Sequence, residues 1–263
     1  MVRLDKGERE MNGFEKHNID HLSASSINLW SNAPDVWVMQ YLHGLRTPMG
    51  AAAWRGICVE DAVVAILLGE NETPAIDKAH EKFDKRFPIG DEKTSAERRR
   101  IKPMVQLAFE ELMEFGKPEF PEVEEGDNLQ EKISITAKGD GWEIPVIGYL
   151  DLVFPQHGVV IDLKTTGRIP STMSAEHQLQ RAIYAKAKGN MSVKFLYVSE
   201  KKTSLLEDGD PTEILQQAKA QITRIETFLR HVDKETARAI IPVQPSSFYW
   251  SGAEDMRKEF YGI

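Results

Sequence analysis

This sequence predicts a mixed α/β fold, in which a helical N-terminal half leads into a central mixed sheet flanked by helices. Three observations carry that expectation. Residues 50–68 hold a wide apolar surface at helical spacing; residues 130–166 hold three β-branched runs separated by turn residues; residues 174–233 alternate helix, strand and helix patterns.

Residues 1–20 show no sustained period and read as a mobile arm, followed by a single domain over 21–263: helical 21–116, sheet core 129–200 and C-terminal helices 211–263. Ser23 or Ser25 can cap a helix through Ile27, Leu29 and Trp30, and Pro34 starts another that ends near Gly44. The 50–68 helix is expected to be largely buried, although Glu60 and Asp61 interrupt its apolar surface. Two polar patterns, 74–87 and 95–115, predict exposed helices, and 117–128 is a proline- and acid-rich connection. Strands follow at 130–139, 142–154 and 158–166, joined by turns at 138–141 and 155–158, an antiparallel meander with Pro145 marking an edge or bulge. A helix at 174–188, a strand at 192–200, a long helix at 211–233 and a short C-terminal helix complete the chain.

Hydrophobic content of 41% and charged content of 28% are those of a globular chain, and no run reaches the ~18 apolar residues of a membrane span. The polar N-terminus lacks a signal-peptide core, so a cytoplasmic location is expected. A single cysteine, Cys58, cannot hold an iron–sulfur cluster, and the seven histidines lack zinc-ligand spacing. The net charge of −8 runs against a nucleic-acid surface, although a local basic groove is compatible with it.

The chemistry concentrates around the 155–158 turn. A hairpin closed there sets Asp151 near Asp162, and the alternation of strand faces puts Lys164 on the side of Asp162. Two facing carboxylates about 5 Å apart repel unless a cation lies between them, and a hard divalent ion takes oxygen ligands of this kind. A plain surface ion pair explains Asp162 and Lys164 in isolation, but the Val159-Val160-Ile161 run predicts a buried strand leading into them. Glu60 on its apolar helix is a further candidate ligand, with Asp61 as competitor and a salt bridge as the ordinary explanation. Gln180 and Tyr184 lie one helical turn apart and share a face, unless Gln178 takes that place. Arg98, Arg99 and Arg100 form a solvated face or contact phosphate, and Cys58 is a packed core residue.

The succession Gly148-x-x-Asp151, Asp162-x-Lys164 and Gln180-x-x-x-Tyr184, with the helical stretches 22–30 and 51–63 upstream, resembles the PD-(D/E)XK nucleases, in particular RecB-like and phage-type exonucleases. The resemblance implies a restriction-endonuclease-like core. It further implies an enzyme that hydrolyses phosphodiester bonds of DNA, processing ends in recombination or repair, with one or two Mg²⁺ or Mn²⁺ ions and no iron–sulfur cluster. Glu60, Asp151, Asp162 and the Leu163 carbonyl would hold metal, and Lys164 would serve the attacking water. Gln180 and Tyr184 would face the catalytic centre and DNA, with Ser23, Ser25 and Arg55 near the strand. At residue 60 the chain has Glu where many RecB-like enzymes have His. A single-strand annealing or recombination protein is the implied partner. The rivals are a non-catalytic interaction module of the same fold, which the negative charge suits, and a structure- or sequence-specific endonuclease.

Overall fold

The computed structural model describes residues 11–88, 90–121, 130–135 and 142–263. Residues 1–10, most of the 117–128 connection and the 138–141 turn lie outside them. The architecture is mixed α/β, in agreement with the sequence. The chain divides into two compact units: Met1–Thr47 with Thr136–Ile147 and Gln216–Ile263, and Pro48–Ile135 with Gly148–Leu215.

The first unit is mainly helical. Residues 11–20 are not a loose arm: α1 (Gly13–Lys16) is fixed by a capping box between Asn12 and Glu15, and Phe14 is buried. The Gly13 N–H donates to Glu226 Oε1 (3.0 Å) on α9 (Pro211–His231), and any Cβ on Gly13 would run into the Glu226 carbonyl. Strand β1 (Leu22–Ser23) lies parallel to the start of β3 (Val146–Leu150), with Leu22 opposite Val146. Pro145 therefore sits just ahead of its strand, where its carbonyl accepts from the Leu22 N–H (2.9 Å). Helices α2 (Ala24–Asn32) and α3 (Pro34–Leu42) follow, packed through Trp30 edge-on to Trp37. α10 (Lys234–Ile240) and α11 (Glu254–Tyr261) close this unit. Asp35, fully buried on α3, accepts from the Gln244 N–H (3.0 Å) and Trp250 Nε1 (2.8 Å), tying the C-terminal segment down.

The second unit is built on a four-stranded sheet in the order β4-β5-β6-β7: β4 (Leu152–Phe154), β5 (Val159–Thr165), β6 (Ser192–Val198) and β7 (Thr203–Leu206). β4 and β5 form the expected hairpin, while β5 and β6 run parallel, linked by α8 (Ala175–Lys188). The three-strand meander is not formed. Residues 142–154 break at a bend on Asp151, so β3 neighbours β2 (Glu131–Ile135) in another sheet and only β4 joins β5. Edge strand β7, antiparallel to β6, has no counterpart in the sequence reading.

One face of β5, carrying Val159, Ile161 and Leu163, packs into a core with α4 (Ala51–Leu67), α5 (Glu72–Arg86) and α7 (Ile101–Leu112). The expected exposed helix at 95–115 is in fact two helices, α6 (Glu92–Arg99) and α7, and α7 is a core helix. Its Ile101, Met104, Val105, Ala108 and Leu112 make a continuous stripe of fully buried side chains. α5 likewise buries Ala75, Ile76, Ala79 and Phe83. α4 is buried along Cys58, Val59, Ala62, Val63 and Ile66, but its first turn exposes Ala52 and Ala53, so burial is less complete than expected. No described helix is long and apolar enough to cross a membrane.

Removing the Asp35 carboxylate strands buried donors, and Asp35→Ala is expected to cost about 2–4 kcal/mol of stability, read as a lowered urea midpoint at unchanged slope.

Candidate functional site

The other face of β5 bears Asp162 and Lys164. β4 and β5 pair Leu152 with Ile161 and Phe154 with Val159, so the next rung sets Asp151 opposite Asp162 at the bend. Both are buried, Asp162 at 1% exposure, and Glu60 on α4 is half-buried beside them. Asp61 points away and pairs with Lys82 at the surface, so of the two neighbouring acids it is Glu60 that joins the cluster.

Each carboxylate is held by donors. Asp151 Oδ2 accepts from the Leu163 backbone N–H (3.0 Å), and its Oδ1 accepts from Gln130 Nε2 (2.7 Å), which also donates to Glu60 Oε1 (2.7 Å). Asp162 forms an ion pair with the Lys164 ammonium and accepts from Gln180 Nε2 (2.9 Å) on α8. Gln180 donates to the Tyr184 hydroxyl as well (2.7 Å), and that hydroxyl donates to the Tyr149 carbonyl (2.6 Å). Gly148 makes room for this arrangement: a Cβ there would lie 2.6 Å from Tyr184 Cε1. Gln178 instead donates to the Met173 carbonyl, so the helix register selects Gln180.

Electrostatics follow from crowding with little water. Burial pushes the Glu60 carboxyl up to about 7, reinforced by Asp162 and opposed by Lys164. Asp151 is raised well above the ordinary carboxylate range by burial, then by Asp162 and Glu60. Burial alone would lower the Lys164 ammonium, but Asp162, Asp151 and Glu60 together hold it above its usual value. Lys164 is thus a firm cation and hydrogen-bond donor.

The donor set suits a hard divalent ion: three carboxylates from α4, the Asp151 bend and β5, all oxygen, with charge in excess of what one lysine neutralises. Among the described residues no three His, Cys, Asp or Glu side chains stand ready to hold a metal ion; Gln130 and Lys164 bond to the acids instead.

The other expected site residues have local partners of their own. Ser23 is the N-cap of α2, bonding Ser26 in a capping box, and Ser25 is an exposed neighbour whose hydroxyl meets Ser23 Oγ (2.9 Å); both belong to the first unit. Arg55, expected at the DNA, is 3% exposed, ion-paired with Glu97 and bonded to Thr165 Oγ1 (3.2 Å). Its guanidinium is committed to holding α4 against α6 and the end of β5. Arg98, Arg99 and Arg100 each pair with acids, Asp84, Glu92 and Glu97 respectively. Cys58 is buried, and its thiol is pushed up to about 11, chiefly by burial.

Two contributors escaped the sequence reading. Gln130 carried no signal, being a lone glutamine ahead of a strand. His177, three residues before Gln180, was legible in principle from that spacing; its Nδ1 meets the Tyr197 hydroxyl (2.6 Å), and burial, then the Lys164 charge, holds its imidazole below the usual value.

A carboxyl with a folded pKa of about 7 against 4.5 unfolded binds more protons folded than unfolded. Its contribution is full below about pH 4.5 and is lost as pH rises through about 7. Without divalent cations, Glu60→Gln is therefore expected to equal the wild type near pH 4.5 and to exceed it by roughly 1–3 kcal/mol at pH 8 in denaturant melts. Gly148→Ala should displace Tyr184 and lower stability by about 1–3 kcal/mol, seen as a reduced melting temperature.

A family model described as the PD-(D/E)XK nuclease superfamily matches residues 21–248. A comparison with curated proteins found no match. The crystal structure of SSO0001 aligns at 16% identity over 69% of this chain and 80% of that chain, with a TM-score of 0.35, too loose a likeness to argue from. The family match extends over most of the 263 residues, and by it the chain belongs to the PD-(D/E)XK nuclease superfamily.

Proposed function

We propose that the chain is a Mg²⁺- or Mn²⁺-dependent DNA exonuclease that processes ends in recombination or repair. The observation that carries the metal-dependent part is the buried meeting of Glu60, Asp151 and Asp162 beside Lys164, in a chain of a nuclease superfamily. The exonuclease subtype and a recombination partner rest on the resemblance of residues 22–30, 51–63 and 148–184 to RecB-like and phage-type enzymes.

In this reading Glu60, Asp151, Asp162 and the Leu163 carbonyl would hold a divalent cation, whose chemistry there would be to polarise the scissile phosphate and lower the pKa of an attacking water. Lys164, kept charged by its acidic neighbours, orients that water by donation and offsets negative charge as it develops. Gln180 fixes Asp162 from α8, and Tyr184 fixes Gln180, so both act by positioning, from within the protein. The resemblance also sets Ser23, Ser25 and Arg55 near the DNA strand; capping accounts for the serines and the Glu97 pair occupies Arg55.

The test is digestion of end-labelled linear duplex DNA with and without Mg²⁺ or Mn²⁺, alongside a closed circular DNA. Metal-dependent loss of the linear substrate with the circle intact is expected. Cleavage of the circle would indicate an endonuclease, and no cleavage of either would favour the non-catalytic module that the net charge of −8 suits. Asp162→Ala and Lys164→Ala should each lower cleavage roughly 10²-fold or more while circular dichroism stays native. Near-normal cleavage by either variant contradicts the assignment.

A further inference from the structure

We infer that Gln130 is a placeholder for the cation: its side-chain amide bridges Glu60 and Asp151 and must leave them when a divalent ion binds. The inference rests on the metal site proposed above. Asp151 offers two oxygens, and Oδ2 is already tied to the Leu163 N–H on β5. The remaining oxygen, Oδ1, is the one Gln130 holds, and the same nitrogen takes Glu60 Oε1. Both bonds measure 2.7 Å, the short end of the N–H···O range. An amide has two N–H groups on one nitrogen, so each carboxylate receives its own proton.

An amide nitrogen at that place satisfies two crowded acids as a cation does, but with partial charge alone. A hard ion needs the same oxygens at about 2.1 Å and brings its own waters, so nitrogen and ion compete for one position. Gln130 stands one residue ahead of β2, on no helix and in neither strand of the hairpin. The amide thus keeps the acids apart and satisfied until a cation arrives, which costs affinity and guards the fold against their repulsion.

Calorimetric titration of Mn²⁺ into the wild type, Gln130→Met and Gln130→Ala, with melting temperatures in the presence and absence of Ca²⁺, tests the inference. Met keeps the length and cannot donate, while Ala removes the bridge altogether. Both variants should bind Mn²⁺ about tenfold more tightly and melt at lower temperature without cations, so that Ca²⁺ raises their melting temperature by more than it raises that of the wild type. An unchanged affinity in a folded variant overturns the placeholder role, and a weakened one makes Gln130 a ligand through its carbonyl oxygen. Absence of Mn²⁺ binding to the wild type would instead overturn the metal site itself, and the placeholder with it.

Discussion

The second unit is arranged around one electrostatic problem, the crowding of two buried carboxylates, Asp151 and Asp162, with the half-buried Glu60. Unpaired, each would cost several kcal/mol, and their mutual repulsion adds to that. Four groups offset the cost: Gln130 between Glu60 and Asp151, the Leu163 N–H on Asp151, and Lys164 with Gln180 on Asp162. None of them neutralises the cluster, and the raised Glu60 and Asp151 carboxyls record the shortfall. Such residual strain is a common mark of a functional site.

The fold supplies the geometry through β5, a strand with two different faces. Val159, Ile161 and Leu163 anchor it in the core under α4 and α7, which fixes the height of Asp162 and Lys164 on the other side. The bend at Asp151 turns its carboxylate onto the Leu163 N–H, a bond that a straight strand would have spent on its own ladder. Gly56 on α4 faces Thr165, where a Cβ would already stand 3.1 Å from its hydroxyl, so the helix that delivers Glu60 can approach the end of β5 closely.

Local patterns in the chain revealed most of this, and long-range partners did not. The 155–158 turn and strand alternation suffice to pair Asp151 with Asp162, since a period of two leaves a single register that buries the valines. The break at Asp151 was hidden because apolar Leu152, Val153 and Phe154 continue the run beyond it. α7 was read as exposed because charged neighbours masked its stripe from Ile101 to Leu112. Arg55 is set near the DNA by the resemblance alone, and nothing near it in sequence announces its partner Glu97. Gln130 was invisible for the same reason: its significance lies in acids far along the chain at Glu60 and Asp151.

On the proposed reading the cluster retains protons for want of positive charge and gives them up to a cation. Titration of Mn²⁺ at about pH 6 in buffers of differing ionisation enthalpy counts the protons released on binding. With the Glu60 carboxyl raised to about 7 and Asp151 raised as well, release of about one proton or more per binding event is the predicted result. Binding without proton release would show the carboxylates already ionised and adequately compensated, and would contradict the account.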